Sequence, residues 1–420
     1  MLTEDKAPVA PVDVTETDSV PGAAPERKRA EVADVDRSMY DFVKPEAGYE
    51  RFADGLSGDI VEEISRKKDE PEWMLQMRLK ALETYERMEM PKNWGPAIGG
   101  LDMSTISTYV ASGSKQADSW DEVPDDIKDT FERLGIPEAE RTSLAGVGAQ
   151  YDSEIVYHNM KDEVAKSGVV YTTVEDAMHS GYEDMIREHF GTLIPMTDHK
   201  FAALHYAVWS GGSFVYVPVG VKLDFPLQSY FRLNAAGAGQ FEHTLIIVEP
   251  GADLHFIEGC SAPKYNVANL HAGAVELFVG KGARLRYSTI ENWSKNMYNL
   301  NTKRVRVEED GKVEWVSGSF GRPRSPHPRP LPLPQLAARG PARELRVHRH
   351  HVRRRHAEPR HGLQGDPRRA RHARLGRHQV SLQERRHLDL PQLRRGDEEG
   401  RARPRLRELQ LAHARRHQPL

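Results

Sequence analysis

Cys260 is the side chain of this chain best suited to covalent or metal chemistry. It is the only cysteine among the 420 residues and lies in the run 258–263, EGCSAP. A cysteine thiolate can accept sulfur as a persulfide or bind iron once a neighbouring charge or a metal has removed its proton. A lone cysteine is more often a small buried apolar residue, so both interpretations stay open on this residue alone.

Two histidines and one lysine are weaker candidates. His243 and His255 have the chemistry of metal ligands, but no second ligand at a suitable spacing supports either, and we interpret both as structural. Gly280-Lys281-Gly282 is too short to form a phosphate-binding loop and is interpreted as a turn. The sequence therefore predicts no nucleotide site and no certain metal site.

A repeat of glycine turns organises the residues around Cys260. Gly220, Gly251, Gly282 and Gly311 lie 31, 31 and 29 residues apart. Each follows a segment with strand character, and these segments are 214–217, 244–248, 275–279 and 304–307. After each of the first three glycines an apolar residue follows at the third position and an aromatic residue at the fifth. The fourth copy is one residue shorter. The apolar positions are Leu223, Leu254, Leu285 and Val313, and the aromatic positions are Phe225, Phe256, Tyr287 and Trp315.

This periodicity predicts a right-handed parallel β-helix, in which strands and turns stack in coils and equivalent side chains form columns. An antiparallel sandwich or jelly roll is the alternative, since it also alternates strands with turns. Sandwich loops rarely keep so regular a spacing, and the solenoid is therefore favoured.

Helical signals precede the repeat. Residues 71–90 place apolar side chains on one face of a helix that begins at a proline and ends before another. A second helix is predicted from 124 to 134, closed by Gly135 with Pro137 beyond it. A third signal covers 174–190. The predicted fold class is α+β, with a mainly helical N-terminal region followed by a truncated β-helix.

The predicted organisation has four parts: a disordered leader at 1–48, a helical or mixed domain at 49–205, an incomplete β-helix at 206–320 and an aberrant tail at 321–420. The first 320 residues contain 33 basic and 53 acidic side chains. No secretory signal and no apolar run of about 18 residues is present, and a single cysteine excludes an internal disulfide. These features predict a cytoplasmic protein without a membrane segment.

The last hundred residues differ sharply in composition from the rest. They contain 26 Arg, 11 His and 12 Pro but no Lys, Phe, Tyr, Trp or Ile, and their β-branched residues are confined to Val347, Val352 and Val380. Such a segment buries too little apolar surface to offset the entropy of the chain, which predicts disorder. The alternative is a natural basic tail that binds nucleic acid, but it lacks aromatic side chains for base stacking.

Several segments together resemble the SufB scaffold family of the SUF iron–sulfur cluster assembly system. The similarity covers about residues 50 to 320 without obvious gaps. The matching segments are 65–68 (SRKK), 70–75 (EPEWML), 210–218 (SGGSFVYVP), 230–234 (YFRLN), 239–247 (GQFEHTLII), 258–263 (EGCSAP), 292–293 (NW) and 298–304 (YNLNTKR).

The resemblance implies that Cys260 receives sulfur and that Arg232, Asn234, Trp293 and Lys303 lie around a sulfur path through the solenoid. The cationic side chains would stabilise a migrating persulfide anion. On the residues alone, the same positions also suit solenoid stacking or, for the tryptophan, a core role. The chain departs from the family pattern at Glu291, where other members often have glutamine.

The resemblance also implies the cargo and the partners. The intact family member assembles a transient iron–sulfur cluster together with a SufC-type ATPase and a SufD-type paralogue, receives sulfur from a cysteine desulfurase or sulfur carrier, and has been linked to reduced flavin. It is a scaffold rather than an enzyme, and it needs neither a membrane nor a specific nucleic acid. One cysteine cannot hold a cluster, which usually takes about four protein ligands.

A change of reading frame near Gly321 explains the tail better than a genuine basic domain. Synonymous codons for 407–419, read one base later, yield VNCNSLMLDDTSR, which resembles the family segment that carries its second functional cysteine. Residues 384–393 yield a second family-like string in the same register. The expectation for this copy is therefore impaired cluster assembly.

The rival function is a β-solenoid polysaccharide lyase or hydrolase. Such enzymes need clustered carboxylates or cationic side chains on one solenoid face. The repeat offers Asp224 and Asp253 but no convincing partner carboxylate, so the scaffold interpretation is favoured.

Overall fold

A computed structural model describes residues 41–46, 48–91, 98, 100–294, 296–321, 335–338, 344–352 and 375–380. The leader predicted for 1–48 lies outside the described residues except for 41–46 and 48, and most of the tail also lies outside them. Among the described residues, no helix has both the length and the apolar character needed to cross a membrane.

The helices of the described chain all precede the repeat. In chain order they are α1 Gly58–Lys67, α2 Glu72–Arg87, α3 Asp125–Arg133, α4 Ile136–Ser143, α5 Asp162–Lys166, α6 Val174–Ala177, α7 Glu183–His189 and α8 Lys200–Val208.

The three predicted helices are confirmed, with local differences. Pro71 is the N-cap of α2, as its fixed φ favours. Gly135 closes α3 with a left-handed φ of 73°, but a further helix, α4, starts directly after it with Pro137 in its first turn. The signal at 174–190 contains a π-helical turn, Met178–Tyr182, with Gly181 at φ 88°, because a continuous α-helix cannot accommodate that backbone conformation. Helix α8 runs across residue 205, where the sequence places a domain boundary.

Strands dominate from residue 212 onward, although several occur earlier. The strands are β1 Glu50–Arg51, β2 Val110–Ala111, β3 Gly146–Tyr151, β4 Glu154–Met160, β5 Val170–Thr172, β6 Gly212–Val217, β7 Leu227–Arg232, β8 Gly239–Gln240, β9 His243–Val248, β10 Asp253–Ser261, β11 Asn269–His271, β12 Ala274–Val279, β13 Arg284–Trp293, β14 Met297–Asn299, β15 Thr302–Val307, β16 Lys312–Gly321, β17 Gln335–Ala338, β18 Glu344–Val352 and β19 Leu375–Val380.

The repeat forms a parallel β-solenoid with three sheets. Strands β6, β9, β12 and β15 pair in parallel in one sheet, β7, β10, β13 and β16 in a second, and β8, β11 and β14 in a third. Each of the first three coils therefore contributes one strand to each sheet, and the described part of the fourth coil contributes β15 and β16 to the first two sheets. This confirms the predicted solenoid, and the sandwich alternative is wrong because its sheets are antiparallel.

The predicted columns of side chains are present in the core from the second coil onward. In the first coil the prediction for Phe225 is wrong, because Phe256 pairs with Leu227 and Phe225 is 53% exposed. Leu254 pairs in register with Leu285, which pairs with Val313, and all three are buried. The next column contains Phe256, Tyr287 and Trp315; its ring centroids are 6.1 and 5.1 Å apart along the stack. Burial of each large side chain stabilises the fold by roughly 1.5–3 kcal/mol, which explains why the part of the interior that contains these two columns is apolar.

A hairpin before the repeat extends one of the solenoid sheets. Strands β3 and β4 pair antiparallel, and β3 pairs in parallel with β7 of the first coil. Strand β5 pairs antiparallel with β6 at the corresponding edge of another sheet. The sequence predicts a mixed region here but not this hairpin, which covers an edge that would otherwise be open to further pairing.

Three segments of the tail are described, and all three are extended. Strand β17 pairs in parallel with β15, β18 pairs in parallel with β16, and β19 pairs antiparallel with β18. Val347 and Val352 lie in β18 and Val380 in β19, so the three β-branched residues of the tail coincide with its longer strands. The disorder expected elsewhere in the tail falls outside the described residues.

Candidate functional site

Cys260 lies inside the solenoid near the end of strand β10. Its backbone positions pair with Phe231 of β7 and Glu291 of β13, and its side chain is 1% exposed. Burial raises the pKa of the thiol well above its usual range, and the Glu258 and Glu242 carboxylates raise it further, while Lys303 opposes them. The resting group is therefore a protonated thiol, and its chemistry requires a proton acceptor or a metal.

Glu242 and His271 converge on Cys260 from the two ends of one coil, which lie at the same corner of the solenoid. Ligand atoms of the three residues all lie within 4.8 Å of one another, and all three residues are buried. The Nε2 atom of His271 hydrogen bonds to Glu242 Oε1. The other carboxylate oxygen, Oε2, is buried without a hydrogen bond from any described residue. The cluster thus contains a thiol, an imidazole and an incompletely satisfied carboxylate.

Asn299 fixes the imidazole of His271. Its Oδ1 atom lies 2.8 Å from His271 Nδ1 and can only accept, so Nδ1 carries a proton and Nε2 faces the cluster. The amide nitrogen of Asn299 donates to Glu291 Oε2 at 3.2 Å. Burial alone would lower the pKa of His271, but the Glu242 charge and the hydrogen bonds to Glu242 and Asn299 raise it.

Gly273 provides the space that the Glu242 side chain occupies. Gly273, just before β12, occupies the position that Glu242 has just before β9 in the preceding coil. A Cβ atom at residue 273 would overlap the Glu242 carboxylate. The same hypothetical atom would lie 3.2 Å from Asn301 Oδ1 of the next coil. The corner therefore requires glycine for close packing rather than for a left-handed φ.

Lys303 supplies a positive charge beside Cys260. Its Nζ atom donates to Glu258 Oε1 at 2.9 Å and lies 3.7 Å from Glu291 Oε1. Tyr287 also donates to Glu258, at 2.6 Å. Burial opposes the charge on the lysine, but Glu258 and Glu291 raise its pKa above the ordinary value, so the ammonium form is stabilised.

Of the other residues predicted for a sulfur path, Trp293 lies close to the cluster. It is fully buried in the same apolar group as Cys260, and its ring centroid lies 4.8 Å from that of His271. The indole therefore forms part of the wall next to the imidazole. This position is compatible both with a core role for Trp293 and with a place beside a sulfur path.

Arg232 and Asn234 instead make contacts with the segment 41–46. Arg232 donates to Ser261 Oγ at 3.1 Å and to the Phe42 carbonyl at 2.7 Å. The Asn234 side chain accepts from the backbone N–H of Lys44 and donates to its carbonyl, both at 3.2 Å. The structure thus places Arg232 next to Cys260 through Ser261 and places Asn234 in an anchoring contact.

His243 and His255 are not part of the cluster around Cys260. His255 Nε2 lies 3.1 Å from Ser288 Oγ. His243 is buried, with His205 at 3.0 Å and a Glu276 oxygen at 3.2 Å. Gly280-Lys281-Gly282 forms a turn, as predicted, with Gly282 at φ 65°.

Sequence reasoning missed Glu242 and His271 because they are distant from Cys260 along the chain and show no ligand spacing. The available signal was the coil itself. Glu242 precedes the first strand of a coil and His271 ends the last strand of the same coil, so the two meet at one corner. A glycine one repeat after Glu242 was a further sign that a large side chain fills that corner.

Comparisons with known proteins agree with this architecture. Residues 231–327 match the domain described as "SUF system FeS cluster assembly, SufBD core domain". The chain is 51% identical over 288 residues to the iron–sulfur cluster assembly protein SufB of Bacillus subtilis, covering 69% of this chain and 62% of that protein. SufBD family proteins of Staphylococcus epidermidis and Staphylococcus haemolyticus are both 50% identical over the same lengths.

The chain spans about 62% of the length of these curated relatives. The matched domain covers most of the solenoid, including Cys260, Trp293 and Lys303. No observation favours the rival polysaccharide enzyme, since the Asp253 carboxylate lies 3.6 Å from Arg284 and no second carboxylate joins it among the described ion pairs. Over these residues the chain is similar to the SufB and SufD proteins of iron–sulfur cluster assembly.

Proposed function

We propose that this chain is a SufB-type scaffold for iron–sulfur cluster assembly and that Cys260 accepts the sulfur. The observation that supports this best is the environment of the thiol within the SufBD core. It is the only sulfur nucleophile of the chain, it is buried, and Lys303 lies among the carboxylates beside it.

Sulfur transfer to Cys260 is a thiol–persulfide exchange. The Cys260 thiolate attacks the terminal sulfur of a donor persulfide, the donor S–S bond breaks, and the donor leaves as a thiolate that takes up the proton lost by Cys260. The Lys303 ammonium group stabilises the anionic form of the new Cys260 persulfide by charge, at the expense of its pairing with Glu258 and Glu291.

The residues Arg232, Asn234, Trp293 and Lys303 take different parts in this proposal. Lys303 and Trp293 border the reacting thiol. Arg232 orients Ser261, the neighbour of Cys260, and Asn234 anchors residue 44. Arg232 and Asn234 are therefore proposed as positioning residues that do not themselves contact the migrating sulfur.

The partners are a SufC-type ATPase, a SufD-type paralogue and a cysteine desulfurase or sulfur carrier, with reduced flavin as a further candidate, and the location is cytoplasmic. The cluster is cargo rather than a resident cofactor. Because one thiol cannot supply the ligands of a cluster, this copy assembles clusters poorly without ligands from a partner. It acts as a scaffold without catalytic turnover of a free substrate.

Mass spectrometry after incubation with a desulfurase and cysteine tests the sulfur step. We expect the full chain to gain the mass of one or more sulfur atoms on the peptide that contains Cys260, and Cys260→Ser to gain none. Ser167→Ala, at the exposed end of helix α5, is the control, since it keeps the thiol and its surroundings. Sulfur that is absent from the wild-type peptide, or equal on the serine variant, would refute the proposal.

A further inference from the structure

We propose that Glu242, Cys260 and His271 form a binding site for one thiophilic divalent metal ion inside the solenoid. The choice of ferrous iron as the biological metal rests on the proposed function. The site itself does not, because it follows from the three side chains and their surroundings. The three ligands combine a sulfur, an imidazole nitrogen and a carboxylate oxygen, a set that suits zinc, cobalt and ferrous ions.

The distances permit ligation with small side-chain movements. Bond lengths of about 2.0–2.3 Å place the ligand atoms of a tetrahedral site about 3.3–3.8 Å apart. The three ligand atoms here lie within 4.8 Å of one another, so each has to move by about 1 Å or less. Three protein ligands leave one tetrahedral position open, as in sites that also bind a reacting molecule.

Glu242 provides an independent sign that the cluster lacks a ligand. Its carboxylate is 0% exposed, and Oε2 accepts no hydrogen bond from any residue that the structure describes. A buried carboxylate oxygen without a partner is costly, and a cation at this point would satisfy it. Gly273 keeps the adjacent space free of a side chain.

The surroundings of the cluster have the features of a metal site. Ligating histidines usually donate their second ring N–H to an acceptor that fixes the tautomer, and Asn299 Oδ1 does so here at 2.8 Å. Metal binding replaces the Cys260 thiol proton and the proton between His271 and Glu242. A dication that replaces two protons leaves the formal charge of the buried cluster unchanged, which avoids the cost of burying additional charge.

Cobalt(II) titration of the purified full chain tests this site. Because the chain has a single cysteine, a thiolate-to-cobalt charge-transfer band in the near ultraviolet reports on Cys260 alone, and cobalt held only by histidines would not produce it. We expect one equivalent of cobalt to produce this band together with the visible bands of four-coordinate cobalt. Cobalt bound without the charge-transfer band would show binding elsewhere only and would overturn the proposal.

Variants assign the other two ligands. Glu242→Gln and His271→Gln should weaken cobalt binding at Cys260 at least tenfold, and Asn299→Ala by 10–100-fold, the usual loss for a supporting residue. His255→Gln is the matched control, because His255 lies on the same strand as Cys260 but outside the cluster. The affinity of this variant for cobalt should equal that of the wild type. An unchanged affinity in both ligand variants would overturn the assignment.

X-ray absorption of the wild-type chain with one equivalent of zinc keeps the test independent of the stability of any variant. We expect one sulfur scatterer per zinc at about 2.3 Å and the remaining ligands at about 2.0–2.1 Å. A shell of nitrogen and oxygen alone would refute the site. Failure of sulfur transfer to Cys260 would leave these spectra unchanged, so the two proposals fail separately.

Discussion

Lys303 forms an ion pair with Glu258 in the interior of the solenoid, with 2.9 Å between Nζ and Oε1. The Glu258 side chain is 0% exposed and that of Lys303 is 12% exposed. Lys303 is the second residue of strand β15, whereas Glu258 lies in β10, so the pair connects coils that are not adjacent in sequence. This pair determines the charge beside Cys260, and the fold depends on it to keep the buried Glu258 carboxylate paired.

Lys303→Met should lower the free energy of unfolding by about 3–5 kcal/mol, because it leaves a buried carboxylate without its cation. Adding Glu258→Gln to the same chain should recover part of the loss. Urea denaturation followed by circular dichroism measures both effects.

Lys281→Met is the matched control, because the ion pair between Lys281 and Glu309 is exposed. Its effect on the free energy of unfolding should be much smaller than that of Lys303→Met, because solvent screens an exposed pair. Equal effects at 281 and 303, or no recovery in the double variant, would contradict the importance of the buried pair.

Gly273→Ala should destabilise the chain by about 1–3 kcal/mol, because the added Cβ overlaps the Glu242 carboxylate. Glu242→Ala in the same chain removes the overlap, so the effect of Gly273→Ala should shrink there. Thermal unfolding provides the comparison.

Gly58→Ala is the control for this substitution, since no atom lies within 4 Å of a Cβ at that position. It should be neutral or slightly stabilising, because alanine restricts the unfolded chain. A similar loss of stability at both glycines would show that the corner is not tightly packed.

Asn234→Ala should speed hydrogen exchange of the Lys44 backbone N–H at least tenfold, because Asn234 accepts a hydrogen bond from this N–H and donates one to the Lys44 carbonyl. Exchange followed by NMR measures the rate. Exchange of the Ile60 N–H, which donates to Ser57 Oγ, should not change. If the Lys44 N–H stays protected in the variant, the anchoring role is wrong.

The fold was more predictable than the cluster, for a physical reason. The column Leu254, Leu285 and Val313 repeats at a near-fixed interval, and burial of one face makes such a column visible as a period in the sequence. Glu242 and His271 meet because each coil ends close to where it began, and the turn from the second to the third strand differs in length from coil to coil. Their proximity therefore required coordinates.

Polar residues also carry less information than apolar ones about what they contact. The resemblance implies a sulfur-path role for Asn234, and the structure shows its side chain bound to the backbone of Lys44. An amide side chain serves equally well in either place, so its residue type does not distinguish them. In the tail, composition predicted disorder, yet the short segments with valine are extended.

A change of reading frame near the Gly321 codon predicts a single inserted or deleted base there in the gene. The match to the SufBD domain ends at residue 327, six residues beyond Gly321. DNA resequencing around this codon, together with the mass of the chain purified from its source, provides the test. An unbroken frame through Leu420 and a matching mass would refute the frameshift.

Asp152→Asn should remove a pH-dependent loss of stability. Burial raises the pKa of this carboxyl to about 7, although it accepts hydrogen bonds from the backbone of Asn234 and Ala235. A raised carboxyl pKa stabilises the fold fully below the unfolded value near 3.9, and this contribution is lost as the pH rises to 7. The wild type should therefore lose up to about 4 kcal/mol relative to Asp152→Asn between pH 4 and 7, and nothing more above pH 8. Asparagine also tolerates the φ of 55° at this position, so backbone strain does not mask the effect. Urea unfolding of both chains across this range measures the difference, and parallel pH profiles would show that the carboxyl stays ionised in the fold.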